Sequence, residues 1–196
     1  MLISGCLMGF VGLFVTYFSH RSIYTVVFFR GLFGLLWLLL IVFLFGMNKS
    51  IVPLIRLYPM SVLMQGIFSA FTVYFYFAAI KSLNYAFAAF LLYLGPVFTV
   101  LLNLIFLKIK IPMKMYIAFP ITLIGLGILL NVGQNFELSL GLINGLLSAL
   151  CLAISTSFKC YVFESIRKNN EKLDLYHVQT IMPLFVCIFL VLIFIF

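Results

Sequence analysis

The sequence predicts an all-α fold, a polytopic transmembrane helical bundle of about seven spans. Three observations carry that prediction. Of 196 residues, 66% are hydrophobic and only 8% are charged, with a mean hydropathy of +1.30. A soluble domain of this length has too little interior to hide that much apolar surface. The apolar residues fall in runs of about 20, the length that crosses roughly 30 Å of hydrocarbon as a helix. The charges gather in the short connections between those runs.

Seven spans follow in order: Leu2–Phe18, Ile23–Phe45, Pro59–Ile80, Asn84–Leu107, Met113–Asn131, Leu138–Tyr161 and Tyr176–Phe196. The first lacks a basic leading region and a small-x-small cleavage site, so it reads as a retained span and not a removed signal peptide. In the fourth, Ala86, Ala88, Ala89 and Gly95 stud the first half. Small side chains let helices approach closely in lipid, where packing replaces the hydrophobic effect between helices. Pro96 then removes a backbone donor at mid-span and frees carbonyls, giving a kink or hinge. The longer connections Gly46–Tyr58 and Val162–Leu175 are polar or basic and hold Asn48, Pro53, Asn169 and Asn170.

Orientation follows from Lys and Arg in the loops. Loops two, four and six hold Lys49 and Arg56; Lys108, Lys110 and Lys114; and Arg167, Lys168 and Lys172. Loops one, three and five offer only Arg21 and Lys81, and loop five carries Glu137. The even loops and the N-terminus are therefore expected on the cytoplasmic side of a cell membrane. The net charge of +8 is this orientation signal. No basic face with interleaved aromatics stands outside the spans, so no nucleic-acid partner is expected.

Chemistry-bearing residues are few. Cys6, Cys151, Cys160 and Cys187 lie in or beside apolar runs without a C-x-x-C spacing, and read as small apolar filling. His20 and His177 sit at span ends, neither at ligand spacing from a carboxylate, so no metal site is expected. No span contains Asp or Glu, and neither H-E-x-x-H nor G-x-S-x-G occurs. Catalysis and a cofactor are not expected, and a carboxylate proton relay is disfavoured.

Arg30 lies roughly two turns into the second span, about 10 Å deep. A cation there faces a bundle interior or wet cavity, or snorkels to the headgroups. Gln65, Ser69, Thr72 and Tyr76 recur at helical spacing on one face of span three. Asn144, Ser148, Cys151, Ser155 and Lys159 do the same in span six. Such stripes line a cavity or hydrogen-bond between helices. Lys159, near a span end, reads as snorkelling. Tyr93 stands one turn before Pro96.

The run Asn84-Tyr85-Ala86, Ala89, Leu94-Gly95-Pro96-Val97-Phe98, a short basic loop, and then Ile124-Gly125-Leu126-Gly127-Ile128-Leu129-Leu130 resemble an EamA-type repeat of the drug/metabolite transporter superfamily. The family's usual loop glutamate would fall at Ile109, between Lys108 and Lys110. The resemblance implies two inverted five-span repeats. Here residues 1–132 would form the first and 138–196 two helices of a partial second. Gly5-x-x-x-Gly9 and Gly141-x-x-x-Gly145 open spans one and six and fit that relation, or are simple helix contacts. The sequence ends inside an apolar run, which reads as a truncated frame, split gene or fragment lacking three helices.

The expected function is transport of small organic solutes by alternating access. The expected cavity lies between spans one, three, four and six. Its candidate lining is Arg30, Gln65, Thr72, Tyr76, Tyr93, Asn144 and Ser155, with Pro96 as the hinge. A lipid bilayer, a small-molecule solute, and a homodimer or complementary fragment are the expected partners. The alternative is an inactive remnant or accessory membrane subunit.

Overall fold

The computed structural model describes residues 23–83, 85–107, 120–121, 124–125, 128, 140–169 and 174–194. Expectations for span one, for most of span five, and for Gly5, Gly9, Asn84, Lys108, Ile109, Lys110, Lys114 and Lys172 lie outside the described residues. All regular structure among the described residues is helical. Among the described residues, five segments are long and apolar enough to cross a membrane: Ile23–Leu44, Pro59–Ser82, Phe87–Phe106, Leu140–Lys168 and Leu175–Ile193.

Helix α1 runs Ile23–Leu44 and ends where Gly46 takes a φ of 63°. That left-handed conformation suits glycine and lets the Gly46 N–H reach the Phe43 carbonyl at 3.3 Å. A 3₁₀ turn at Met47–Ser50 and the short helix α2, Ile51–Leu57, lead to α3, Pro59–Ser82. Pro59 stands in the first turn of α3, where its missing N–H goes unused.

The fourth span is one apolar run cut into pieces. Helix α4, Tyr85–Leu92, stops at a turn over Tyr93 and Leu94; α5, Gly95–Leu102, restarts with Pro96 in its first turn. A π-turn at Asn103–Leu107 follows. The expected disruption at Pro96 is present as a kink within one span: Leu94 keeps helical dihedrals and its carbonyl accepts from the Phe98 N–H at 3.0 Å. Helix α6 then runs Leu140–Lys168 and α7 runs Leu175–Phe194. The connection expected from Val162 is corrected by this: α6 continues seven residues past Tyr161. Its last two turns are amphipathic. Val162 and Ile166 are buried with Leu54, Val178 and Met182, while Glu164, Arg167 and Lys168 face outward.

Helices α3 and α6 form the centre of the bundle and are each other's most extensive partners. They run antiparallel. Gly141, at the start of α6, lies against Ser82 and Leu83 at the end of α3, while Val62 and Val162 share a core at the other end. Helix α7 packs along α1, also antiparallel, with Gly31 against Leu190 and Gly34 against Cys187. A Cβ added at Gly31 would stand 2.7 Å from the Leu190 Cβ, so the approach of these two backbones requires glycine. On α6, Gly145 meets Leu91 of α4 in the same way. The Gly141-x-x-x-Gly145 pair is therefore a helix contact onto the segment before α5.

Candidate functional site

Three elements converge on a pocket of about 490 Å³. Helix α3 contributes Ser61, the fourth span contributes Leu102 and Phe106, and α6 contributes Ile154, Ser157, Phe158 and Tyr161. The four α6 residues follow helical spacing and so share one face of that helix. The Phe106 position falls within the π-turn, which re-aims the side chains that follow the Pro96 kink. The volume lies in the range of small-molecule sites.

The polar stripes behave in two ways. Most hydroxyls bond back onto their own helix. The Thr72 hydroxyl donates to the Phe68 carbonyl at 2.9 Å, Ser148 to Gly145 at 2.6 Å, and both Ser155 and Thr156 to Leu152 at 2.9 and 2.8 Å. Such bonds satisfy the hydroxyl locally and need no neighbouring helix. Among the described residues, three buried polar atoms have no hydrogen-bond partner: Gln65 Oε1 on α3, Asn103 Oδ1 in the π-turn and Ser157 Oγ on α6. They sit on the same three elements that enclose the pocket. Ser157 lines it, Gln65 is one turn beyond Ser61, and Asn103 follows Leu102.

The sequence-derived candidates separate into groups. Gln65, Thr72 and Ser155 are buried, and Tyr76 and Asn144 are half-buried. Tyr93 is 63% exposed. Arg30 is exposed on α1, with its guanidinium carbon 5.6 Å from the centroid of the Phe77 ring. This cation–π arrangement ties it to the far end of α3, close to the Tyr24–Tyr74 pair whose rings stand 5.8 Å apart. None of the seven is among the residues lining the pocket. Sequence reasoning missed Ser61 and Ser157. Ser61 was within reach, because it stands four residues before Gln65 and extends that stripe backwards.

At the end of the bundle that holds Ser61, the His177 ring and the Ser50 hydroxyl are joined through Nδ1 at 3.0 Å. Asp174 accepts from the Tyr176 N–H at 3.0 Å and caps α7. Among the described residues, no group of three His, Cys, Asp or Glu is placed to hold a metal.

These apolar helices, with a small pocket beside a span kinked at Pro96, can be set against known proteins. The EamA-like transporter family matches residues 1–131. The chain belongs to that family. An uncharacterized transporter of Archaeoglobus fulgidus is 33% identical over 154 residues, which cover 79% of this chain and 52% of the relative. The chain thus spans about half the length of the curated relative it matches. No solved structure matches it. As an EamA-like protein it is a multi-pass membrane protein of a transporter family, and three of its described spans line the pocket.

Proposed function

We propose that this chain takes part in carrying small organic solutes across the cell membrane by alternating access, and that the pocket between α3, the fourth span and α6 is part of the solute path. The observation that carries this reading is the coincidence of the pocket with the kinked span. Leu102 and Phe106 belong to the short pieces that follow Pro96, so a change of angle there alters the pocket directly. Gln65, Thr72, Tyr76, Asn144 and Ser155 support a path running along α3 and α6, with Arg30 and Tyr93 toward its other end.

In this reading residues 1–132 are the first repeat and 138–196 part of an inverted second. The antiparallel pairing of α1 with α7 supports it, since these would be the second helices of the two repeats. A second copy or a complementary fragment would complete the bundle. Arg56, Arg167 and Lys168 all sit at the Ser61 end, which supports a cytoplasmic placement for that end and for the N-terminus.

The test is uptake by proteoliposomes holding the full chain, alone and with the part of a related carrier that this chain does not match. Saturable uptake of an organic solute, cut at least fivefold by Arg30→Ala with insertion unchanged, is the expected result. Stable insertion without uptake in either assembly would favour the accessory or inactive alternative. Unchanged uptake would remove Arg30 from the path.

A further inference from the structure

We propose that the pocket between α3, the fourth span and α6 holds one acyl chain of an anionic phospholipid, and that Lys168 receives the phosphate of that lipid. The binding claim stands on the pocket and on α6. Its meaning as regulation rests on the transport reading, because the chain would lie against Leu102 and Phe106, in the pieces that follow Pro96.

Two observations carry it. The first is the wall of the pocket. Leu102, Phe106, Ile154 and Phe158 present hydrocarbon. The serines add almost nothing to the open surface, since Ser61 is buried and so is Ser157 Oγ. A polar or ionised group would lose its hydration there and gain no partner, whereas a hydrocarbon chain needs none. The rim opens on the side of the bundle, where Phe106 is 77% and Tyr161 46% exposed. At membrane depth such an opening meets acyl chains and not water.

The second observation is what stands beyond the rim. Ile154, Tyr161 and Lys168 follow one another at intervals of seven, which keeps them on one stripe of α6. At 1.5 Å per residue, Lys168 lies about 10 Å beyond Tyr161 along the helix. Tyrosine suits the edge of the hydrocarbon, and the headgroup layer outside it is roughly 5–8 Å deep. A lysine reaching back over that distance sets its ammonium at the level of the phosphates. Lys168 is exposed, and among the described residues it makes no ion pair, although Glu164 stands four residues earlier at a spacing that favours one. Arg56 and Arg167 add positive charge at the same end of the bundle. The apolar wall alone does not choose among lipids, since every lipid brings acyl chains. The charge beyond the rim supplies the choice, about fivefold for each cation near the surface, with Glu164 opposing it.

The experiment photolabels the full chain in phosphatidylcholine nanodiscs. These carry a trace of phosphatidylglycerol or of phosphatidylcholine, each with the same diazirine-bearing acyl chain, and the labelled residues are mapped by mass spectrometry. Labels on Leu102, Phe106, Ile154 and Phe158 report the pocket. Labels on Phe33 and Trp37, exposed on α1, report lipid contact without a site. The expected result is a preference of about fivefold for phosphatidylglycerol in the pocket, saturable by the unlabelled lipid, and none on α1. Lys168→Gln is expected to abolish the preference and Glu164→Gln to raise it, with the labels on α1 unchanged. Both positions are exposed, so both variants keep the fold. No label in the pocket, as when a second copy or another protein fills it, would overturn the proposal. So would equal labelling by the two lipids, the same preference on α1, or a preference that survives Lys168→Gln. Solute uptake, measured separately, tells its failure from that of the transport reading: uptake without preferential labelling overturns only the lipid site, and preferential labelling without uptake upholds it.

Discussion

Helices α1 and α6 make an instructive pair. Helix α1 is the most apolar described span and the least buried, with 17% of its core stretch inside the protein. Helix α6 is less apolar, yet 39% of the corresponding stretch is buried, the highest share of any described span. In a soluble protein the order would be reversed. Here Phe29, Phe33, Leu36, Trp37, Leu40 and Phe43 stand exposed along one side of α1, a surface suited to lipid. Helix α6 instead places Gly141, Gly145, Ser148, Ala149, Ala153 and Ser155 at its buried contacts. In the bilayer, the small and the polar residues mark the inside.

That contrast is testable by substitution, read as thermal or denaturant stability of the full chain in a fixed detergent. Gly145→Leu should do the most damage, about 3 kcal/mol, because Leu91 already fills the space a side chain would enter. A loss below 1 kcal/mol would mean that α6 does not sit against α4. Gly31→Ala comes next, at about 1–2 kcal/mol, since the new Cβ would stand 2.7 Å from the Leu190 Cβ and only a shift of α1 relieves it. This probes the narrow buried seam of an otherwise exposed helix. Gln65→Leu should have the opposite sign, a gain of about 1 kcal/mol, because it removes a buried amide oxygen without a partner. The same variant should slow uptake if Gln65 lines the solute path, so stability and function would part company there. Phe33→Ala should be the mildest, within about 0.5 kcal/mol, its ring being 65% exposed. A large loss at Phe33 would reveal a protein partner on the surface assigned to lipid.

The spans were legible because hydropathy reports the solvent. The expected start at Pro59 coincides with that of α3. The end of α6 was not legible. Beyond Lys159 the sequence stops looking like membrane, while the helix continues on an amphipathic pattern that packs Val162 and Ile166 against α2 and α7. The stripe on α3 was recognisable as a buried face, and Gln65 and Thr72 lie in it. The place of Ser157 beside the pocket was not legible. It stands two residues from Ser155, on another side of α6, and only the packing of the fourth span decides which of the two residues borders the pocket. Whether a hydroxyl bonds its own helix is a matter of rotamer and neighbour, and spacing alone carries no information on it. Six of the seven candidates thus share an element with the pocket, Arg30 on α1 does not, and none lines it.

The kink in the fourth span also bears on the order in which the protein is made. Helices α4 and α5 have eight residues each, far short of the length that crosses a bilayer alone. As a continuous apolar stretch the segment can leave the ribosome's membrane exit like any other span. Its final bent shape depends on Leu91 meeting Gly145 and on Gly95 meeting Leu152, and both partners lie on α6, still unsynthesised at that moment. The region that shapes the pocket is therefore completed late, by a helix that arrives after it, and a ribosome stalled before α6 would release a chain with its membrane helices inserted and its binding space unbuilt.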